Sequence, residues 1–313
     1  MIAAESAPRC TWAGARDFTG ETIELPGGSS IEVRDLDRLD RPGVLAVPNS
    51  LVKAPYLPPT TASVVAPTSS STTGAATGGN VAEASLQAIL EIVERDAFWF
   101  AARTGLPLAP AHAAPTSADI ASVEETYGVQ VVLTWLPNPL ALPVAHCVLV
   151  AGGDGHPACS RGMGVSISPD EALRKSLIEA VQMWRSLATG LDVGDSDTDM
   201  RALWWTGQAQ NAFPGLFGAT AASTDRDQFW GKDLSGSPAD TILDELVRHA
   251  ARNGLHLSRA VLADNRAHAV VRCIAEEVLP LDDLSFPNQR RFDAWRAFTG
   301  FHGPVSYRRS LFM

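Results

Sequence analysis

The amino-acid sequence predicts an α/β fold in which long helices alternate with short β-strands. Apolar residues recur with helical periodicity through 81–104 and 169–188, and apolar β-type runs occupy 129–136 and 144–151. Of the 313 residues 45% are hydrophobic, with 8 Trp and 11 Phe. This composition is sufficient for a packed core and excludes a globally disordered chain.

The first elements are bounded by ordinary start and stop residues. Gly105 is expected to end the first long helix, because glycine commonly closes a helix and Pro107 cannot continue one. Ser117 is expected to be the N-cap of a second helix, which Gly128 closes. Residues 137–139, Pro-Asn-Pro, separate the two β runs that follow.

The same alternation continues in the second half of the chain. A glycine-containing loop is expected to lead into the helix at 169–188. Ser237 and its neighbours resemble a capping box and predict a helix that stops at Gly254. A strand pair is predicted at 255–262 and 269–274.

Charge and cysteine usage limit the function classes. The 25 Lys and Arg against 35 Asp and Glu give a net charge of −10, which argues against a broad nucleic-acid-binding surface. No apolar run reaches the ~18–20 residues that span a bilayer, and the first residues lack a secretion signal. The four scattered cysteines form no CxxC pair, which is typical of a reducing compartment. We therefore expect a cytoplasmic protein with neither nucleic-acid nor membrane partners.

The two long helices are related by an internal repeat with a shift of 88 residues, as from Glu83 to Glu171. The shift also pairs further acids and two good N-cap residues: Glu91 with Glu179, and Asn80 with Ser168. Small-residue segments at 72–79 and 161–166 precede the helices and are expected to be loops. A chance match of two amphipathic helices would less often reproduce acids, caps and loops together.

Helical geometry indicates where the polar side chains lie. At ~100° per residue the first helix has one apolar stripe, formed by Leu86, Ile89, Leu90, Val93 and Ala97. Its acids Glu83, Glu91 and Glu94 share a flank beside that stripe. On the second helix the polar face consists of Lys175, Glu179, Gln182 and Ser186.

Two interpretations of these acids are open. On an arbitrary helix such a face is most often only solvated. Carboxylates gathered beside a core without cationic neighbours raise one another's pKa, and a divalent cation relieves that repulsion. Mg²⁺ prefers oxygen ligands, and glycine-rich loops before helix N-termini can offer N–H groups to phosphate. The recurrence of loop and acidic helix favours a magnesium–phosphate site over a solvated surface.

At these residues the sequence resembles the YcaO family. The first part of the match is Thr72-Thr73-Gly74-Ala75-Ala76, Gly79-Asn80, Glu83-Ala84 and Glu91-Ile92-Val93-Glu94-Arg95-Asp96. The second part is Gly162-Met163-Gly164, Ala172-Leu173, Glu179, Gln182 and Arg185. The correspondence covers roughly 48–187, about half of the chain. We expect a single YcaO-like domain over 1–313, with an internal loop–helix repeat packed on β-sheets.

The resemblance implies an ATP-dependent enzyme that acts on backbone amides of a ribosomally synthesised precursor peptide. Family members phosphorylate the amide oxygen after a nucleophile has attacked the carbonyl carbon. A Cys, Ser or Thr side chain then gives an azoline, sulfide gives a thioamide, and an amine gives an amidine. Azoline formation is the expected reaction, and the motifs do not identify the nucleophile.

The resemblance also implies ATP and Mg²⁺ as cofactors and assigns residues to them. The metal ligands carried over by position are Glu83, Glu91, Glu94 and Glu179. Those acids would bind the nucleotide together with Asn80, Lys175 and Gln182. Lys175 stands where the family often has an arginine that faces phosphate. No catalytic residue is assigned.

One departure from the family pattern bears on partners. YcaO proteins usually carry an earlier helix behind a Gly-Lys-Gly loop, and that helix contributes to the same nucleotide site. Nothing like it occurs before Trp12. We therefore expect a split enzyme, in which a second YcaO-like or leader-binding subunit completes the site. A non-catalytic scaffold or peptide-binding subunit is the alternative, although retention of the acids favours an enzyme.

Other sites have little support. The sequence contains neither a Gly-x-Ser-x-Gly elbow nor a Walker motif, which argues against a serine hydrolase and a P-loop nucleotidase. The spacing of His146, Cys147 and Cys159 is not that of a zinc site. Trp204 and Trp205 are interpreted as core residues rather than as an exposed surface for a peptide or partner.

Overall fold

A computed structural model gives the architecture as two compact units, Met1–Ile89 with Pro238–Asp283 (unit 1) and Leu90–Ser237 with Leu284–Met313 (unit 2). The structure describes residues 22–24, 30–48, 52, 72–111, 117–153, 157–189, 200–218, 234, 236–265, 267–275, 277–278, 289–300 and 302–303.

The described helices and strands alternate along the chain, as the sequence predicts. The strands are β1 Thr22–Glu24, β2 Ser30–Arg38, β3 Val44–Pro48, β4 Ala75–Gly78, β5 Ala109–Pro110, β6 Val129–Trp135, β7 Val144–Ala151, β8 Cys159–Val165, β9 Leu257–Asp264 and β10 Ala269–Ala275. The helices are α1 Val81–Thr104, α2 Ser117–Tyr127, α3 Pro169–Ala188, α4 Met200–Trp205, α5 Gln208–Ala212, α6 Ala239–Arg252 and α7 Gln289–Thr299, with a 3₁₀ turn at Pro214–Leu216. The α/β class is therefore confirmed.

Unit 1 is built on a six-stranded antiparallel sheet. Its strand order is β1–β2–β9–β10–β4, and β3 pairs with β2. One apolar cluster of this unit is formed by Leu36, Leu45, Val47, Val52 and Ala260. The predicted strand pair at the end of the chain is β9 and β10, which pair antiparallel over their full length.

Unit 2 is built on a four-stranded antiparallel sheet with the order β5–β6–β7–β8. Strand β7 is buried on both faces, because alternate residues pack in opposite directions. Ala145, Cys147 and Leu149 belong to the apolar cluster that also holds Leu173 and Leu177 of α3. On the opposite face the ring of His146 lies 5.7 Å from that of Phe98 of α1, measured between ring centroids.

The long helices have the bounds that periodicity predicts, 81–104 and 169–188. All five residues of the predicted α1 stripe are buried. Residues 81–89 of α1 belong to unit 1, and the remainder of the helix belongs to unit 2. Gly105 and Gly128 close their helices at positive φ, +62° and +64°, as expected for glycine.

Two segments that the sequence predicts as loops are largely strands instead. Residues 75–78 form β4, and 159–165 form β8, which includes most of the predicted loop at 161–166. In β8 glycine misled the prediction, because Gly162 and Gly164 allow close packing rather than a turn. A Cβ atom on Gly162 would meet the backbone of Ser176 and Ala180, and one on Gly164 would meet that of Ala172. Both glycines let α3 lie directly against β8.

Three predicted caps differ from the structure. Ser117 is the first helical residue of α2 rather than its N-cap, a difference of one position. Ser168 is the N-cap of α3 but makes no side-chain capping bond. At α6 the N-cap is Pro238, so Ser237 forms no capping box. Residue type alone favours a cap, but the local backbone geometry decides whether its oxygen reaches an N–H group.

Among the described helices, none combines the length and the apolar character that a membrane crossing requires. Trp204 is buried in a cluster with Val148, Cys159 and Leu187 of unit 2, as the core interpretation predicts. Trp205 is partly buried beside that cluster.

Candidate functional site

Acidic side chains from two helices of unit 2 interact with one another. The pKa of Glu94 on α1 is raised to about 8. Burial is the largest cause, and the negative charges of Glu179 on α3 and Glu91 on α1 add to it. Arg95 and Lys175 lower the pKa of Glu94, but burial outweighs them. The structure thus brings together three of the four acids for which a metal role is predicted.

Glu91 is held by its own helix. Its Oε1 lies 3.0 Å from Nε of Arg95, one turn later, and both side chains are about a quarter exposed, at 25% and 21%. An ion pair between residues i and i+4 fixes the direction of both side chains along the helix. The carboxylate of Glu91 is therefore oriented before any ligand binds.

Side chains of α3 cover the free edge of the four-stranded sheet at β8. The backbone N–H of Met163 donates to Oε2 of Glu179 at 2.9 Å, and Nζ of Lys175 donates to the carbonyl oxygen of Val165 at 3.3 Å. Strand edges leave unpaired N–H and C=O groups, so this arrangement satisfies two of them. Glu179 is fixed through one carboxylate oxygen, Oε2, by this bond.

Arg161 of β8 is a site residue that the sequence reasoning missed. Only 6% of it is exposed, and its guanidinium carbon lies 4.5 Å from the ring centre of Phe98 and 5.7 Å from that of Trp204. Burial lowers the pKa of Arg161 to about 10, while Glu179 and Glu94 raise it. An arginine two residues before Gly-Met-Gly gives no local signal of burial, because its aromatic neighbours come from α1 and α4.

The acids are therefore not without cationic neighbours, which corrects a premise of the sequence analysis. Glu91, Glu94 and Glu179 are accompanied by Arg95, Arg161 and Lys175. With every group ionised, three negative charges meet three positive charges. Within the described ranges, no three His, Cys, Asp or Glu side chains are arranged to hold a metal ion by themselves.

Glu83 and Asn80 have a different role at the start of α1, in unit 1. The side-chain oxygen of Asn80 accepts a bond from the N–H of Glu83 at 2.9 Å, as its prediction as an N-cap requires. The Glu83 carboxylate accepts bonds from the N–H of Gly79 at 2.9 Å and from the side-chain amide of Asn80 at 3.0 Å. Eleven residues of helix, about 16 Å of rise, separate Glu83 from Glu94. Glu83 thus binds the N-terminus of its own helix, and a metal role for it stays a prediction.

Gln182 follows Glu179 by one turn of α3. It is exposed and lines a groove of about 590 Å³ between α2 and α3, together with Asp119, Val123, Ile178 and Arg185. The residues that line that groove do not include Glu91, Glu94 or Glu179. Of the predicted nucleotide residues, Lys175 therefore lies with the acids. Gln182 is an exposed neighbour of Glu179 on α3, and its role in nucleotide binding stays a prediction.

The described cysteines are not poised as nucleophiles. Burial raises the pKa of Cys159 and of Cys273 to about 12, and it also raises the pKa of Cys147. A thiol must ionise to attack, so these side chains behave as core residues at neutral pH. Burial together with Arg161 lowers the pKa of His146 to about 3, so this imidazole is neutral.

Comparison with known families decides the relationship of the chain. The sequence model of the YcaO cyclodehydratases, described as ATP- and Mg²⁺-binding, matches residues 31–278. This chain belongs to the YcaO family. The expectation from the motifs is therefore confirmed, and the match extends on both sides of 48–187. Among curated proteins, no relative matches the chain.

Several solved structures share the fold of this chain. A heterocyclase in complex with substrate and cofactor has a TM-score of 0.75 at 17% identity, over 91% of this chain and 38% of that one. The heterocyclase TruD has a TM-score of 0.70 at 17% identity, over 90% of this chain and 39% of TruD. YcaO from Methanopyrus kandleri, bound with AMPPCP and Mg²⁺, has a TM-score of 0.63 at 22% identity, over 79% of this chain and 64% of that one. This YcaO chain spans about two fifths of the length of the two heterocyclases.

Proposed function

We propose that this chain is a subunit of a cytoplasmic, ATP-dependent cyclodehydratase-type enzyme that activates backbone amides of a ribosomally synthesised precursor peptide. The observation that carries the proposal is the interaction of Glu91 and Glu94 of α1 with Glu179 of α3, beside Lys175. These four residues come from the two helices whose motifs resemble the family. Their chemistry suits a metal-bound polyphosphate rather than a purely solvated surface.

The donor set fits Mg²⁺ bound with ATP. Mg²⁺ commonly takes one or two carboxylates, substrate phosphates and water rather than an all-protein cage. Glu91, Glu94 and Glu179 offer carboxylate oxygens, and no complete protein cage is formed among the described residues. Arg95, Arg161 and Lys175 offer positive charge for phosphate oxygens.

Each residue has a distinct role in this proposal. Mg²⁺–ATP, when bound, would supply the phosphoryl group that converts the amide oxygen into a leaving group. Glu91, Glu94 and Glu179 would hold the metal, and Lys175 would neutralise phosphate charge. The ion pair of Glu91 with Arg95 and the bond from the N–H of Met163 to Glu179 keep two carboxylates oriented.

The substrate and product are tested by mass spectrometry of a modified precursor peptide. We propose azoline formation, in which a Cys, Ser or Thr side chain attacks the preceding carbonyl and the peptide loses one water. Replacement of oxygen by sulfur would instead identify a thioamide, and gain of an amine with loss of water an amidine. Heavy oxygen placed in the target amide should appear in the released phosphate if the amide oxygen is phosphorylated. Its retention in the peptide or in bulk water would contradict the proposed activation.

We also propose that a second YcaO-like or leader-binding subunit works with this chain. The E. coli microcin synthetase complex McbBCD with bound pro-MccB17 is a neighbour of the fold, with a TM-score of 0.58 at 13% identity, over 82% of this chain and 66% of that one. Co-purification with such a subunit, and ATP turnover only by the mixture, would support the proposal. Full turnover by this chain alone would defeat it.

A non-catalytic scaffold is the second candidate. The ion pair of Glu91 with Arg95 favours it, because the charge of this acid is already balanced within its own helix. Glu91→Gln separates the two candidates. An enzyme loses turnover, whereas a scaffold keeps its binding and its partners. Glu171→Gln is the matched control, since Glu171 pairs only with Arg174 at the surface among the described contacts of α3.

A further inference from the structure

Arg161 is a buried member of the candidate site, with 6% of its surface exposed, and the function proposed above gives it no part beyond its positive charge. Its guanidinium lies against Phe98 and Trp204, at 4.5 Å and 5.7 Å from the ring centres. Phe98 follows Glu94 by one helical turn, so the ring that supports Arg161 and the acid that interacts with it occupy the same face of α1. The aromatic contacts restrict where this charge can move.

The second observation is the balance of charge around Arg161. Glu91, Glu94 and Glu179 face Arg95, Arg161 and Lys175, so the formal charges of the cluster sum to zero, and the cluster is not net negative whether or not Glu94 is ionised. A free divalent cation gains little from a neutral cluster, since each cation repels it as each acid attracts it. The complex of Mg²⁺ with ATP carries net negative charge. Its metal ion can interact with the carboxylates of the site, and its phosphates can interact with the cationic side chains.

The third observation is that the described part of the chain offers no ready cage for a bare ion. Among the described side chains, no three ligands of His, Cys, Asp or Glu type are arranged for one metal. One oxygen of Glu179 is bonded to the N–H of Met163, and Glu91 is paired with Arg95. Phosphate oxygens would have to complete any coordination of Mg²⁺ here.

From these three observations we infer that Arg161 is the resident counter-ion of Glu94 and Glu179, and that it makes the site bind Mg²⁺ only together with the nucleotide. Arg161 is a positioning residue in this inference. Its positive charge balances the two acids until Mg²⁺ binds together with the nucleotide. The inference deepens the proposed function and rests on the nucleotide site described there.

The test measures binding of Mn²⁺, as a spectroscopic substitute for Mg²⁺, by electron paramagnetic resonance with and without a non-hydrolysable ATP analogue. The wild-type chain is expected to bind Mn²⁺ at least about tenfold more tightly with the analogue than without it. Arg161→Met removes one positive charge from the cluster, so Mn²⁺ alone should bind about tenfold more tightly than it does to the wild type. The same variant should bind the Mn²⁺–analogue complex more weakly. A structural defect would lower both affinities rather than raise one.

Two further variants complete the design. Arg161→Lys keeps the charge, so it should keep the wild-type preference, and it remains informative if Arg161→Met does not fold. Arg174→Met removes an exposed arginine from α3 and should change neither affinity. A wild-type chain that binds free Mn²⁺ as tightly as with the analogue overturns the inference, and so does a folded Arg161→Met with unchanged Mn²⁺ affinity. If Arg161→Met does not fold, loss of the preference in Arg161→Lys overturns it. Absence of binding of both Mn²⁺ and its complex, by the wild-type chain alone and by the chain with the partner subunit proposed above, overturns the proposed nucleotide site as well.

Discussion

The two helices of the internal repeat start in different ways although their sequences correspond. At α1, Asn80 and Glu83 exchange hydrogen bonds that close the helix start. At α3, the corresponding Ser168 makes no side-chain capping bond, and the corresponding Glu171 pairs with Arg174 at the surface. α3 is held instead by close backbone packing against β8, where Gly162 leaves no room for a Cβ atom.

The difference shows that one motif can be stabilised locally in one copy and through tertiary contacts in the other. The second acids of the repeat, Glu91 and Glu179, diverge in the same way. Glu91 is oriented by Arg95 of its own helix, and Glu179 is oriented by the N–H of Met163 on a neighbouring strand. The acid near each helix start serves the helix, whereas the acid two turns later faces the candidate site.

Gly162→Ala tests the packing of α3 and should have the largest effect. The new Cβ atom would meet the backbone N of Ala180 and the carbonyl oxygen of Ser176, and backbone atoms cannot rotate away. We expect a loss of about 3 kcal/mol or more in the free energy of unfolding, measured by urea denaturation. Gly74 is the equivalent glycine of the first repeat and has φ +79°. Gly74→Ala should lower the free energy of unfolding by only about 1 kcal/mol, because of backbone strain.

Gly218→Ala is the control for these substitutions, because no heavy atom lies within 4 Å of the added Cβ atom. Its free energy of unfolding should equal that of the wild type. If Gly162→Ala were equally stable, close packing against β8 would not be the reason for this glycine.

Glu179→Gln compares the site acid of α3 with the acid at its start. A metal ligand lost from a nucleotide site should lower ATP turnover by the complete enzyme by about 100-fold, comparable to the loss of groups that orient metal ligands. Glu171→Gln should leave turnover unchanged, because Glu171 pairs with Arg174 at the protein surface. Equal losses in both variants would remove the distinction between the two acids of the repeat.

The pH dependence of stability should show that burial disfavours the ionised form of Glu94 in α1. Folding raises the pKa of Glu94 from 4.5 to about 8, so the folded protein favours its protonated form. The contribution of Glu94 is therefore fully present below about 4.5 and is lost as the pH rises through about 8. Glu94→Gln stays neutral, so its stability relative to the wild type should increase between these pH values in thermal denaturation. A pH-independent difference would contradict the burial of Glu94.

Asn80→Ala and Ser168→Ala compare the two helix starts directly and should give the smallest effects. Loss of the Asn80 cap should lower the free energy of unfolding by about 1 kcal/mol. Ser168→Ala should be close to neutral, because its side chain makes no capping bond. Thermal denaturation of both variants measures the difference, and equal costs would mean that α3 is capped in the same way as α1.

Most of the secondary structure of this YcaO protein could be predicted from the local sequence. The apolar stripe of α1 and the bounds of α3 follow from periodicity, because burial of one helix face constrains every third or fourth residue. The strand β8 could not be predicted, because Arg-Gly-Met-Gly has the composition of a turn. Its glycines make sense only beside the backbone of α3.

The candidate site divides in the same way. The sequence by itself determined the helices, their acids and the family, since these depend on residue type and spacing within one segment. Only the tertiary structure decided which acids meet, that Glu83 closes a helix start, and that Arg161 stands among the site acids. The reason is physical: electrostatic interaction and burial depend on distances between segments far apart in the chain, and a sequence motif does not contain those distances.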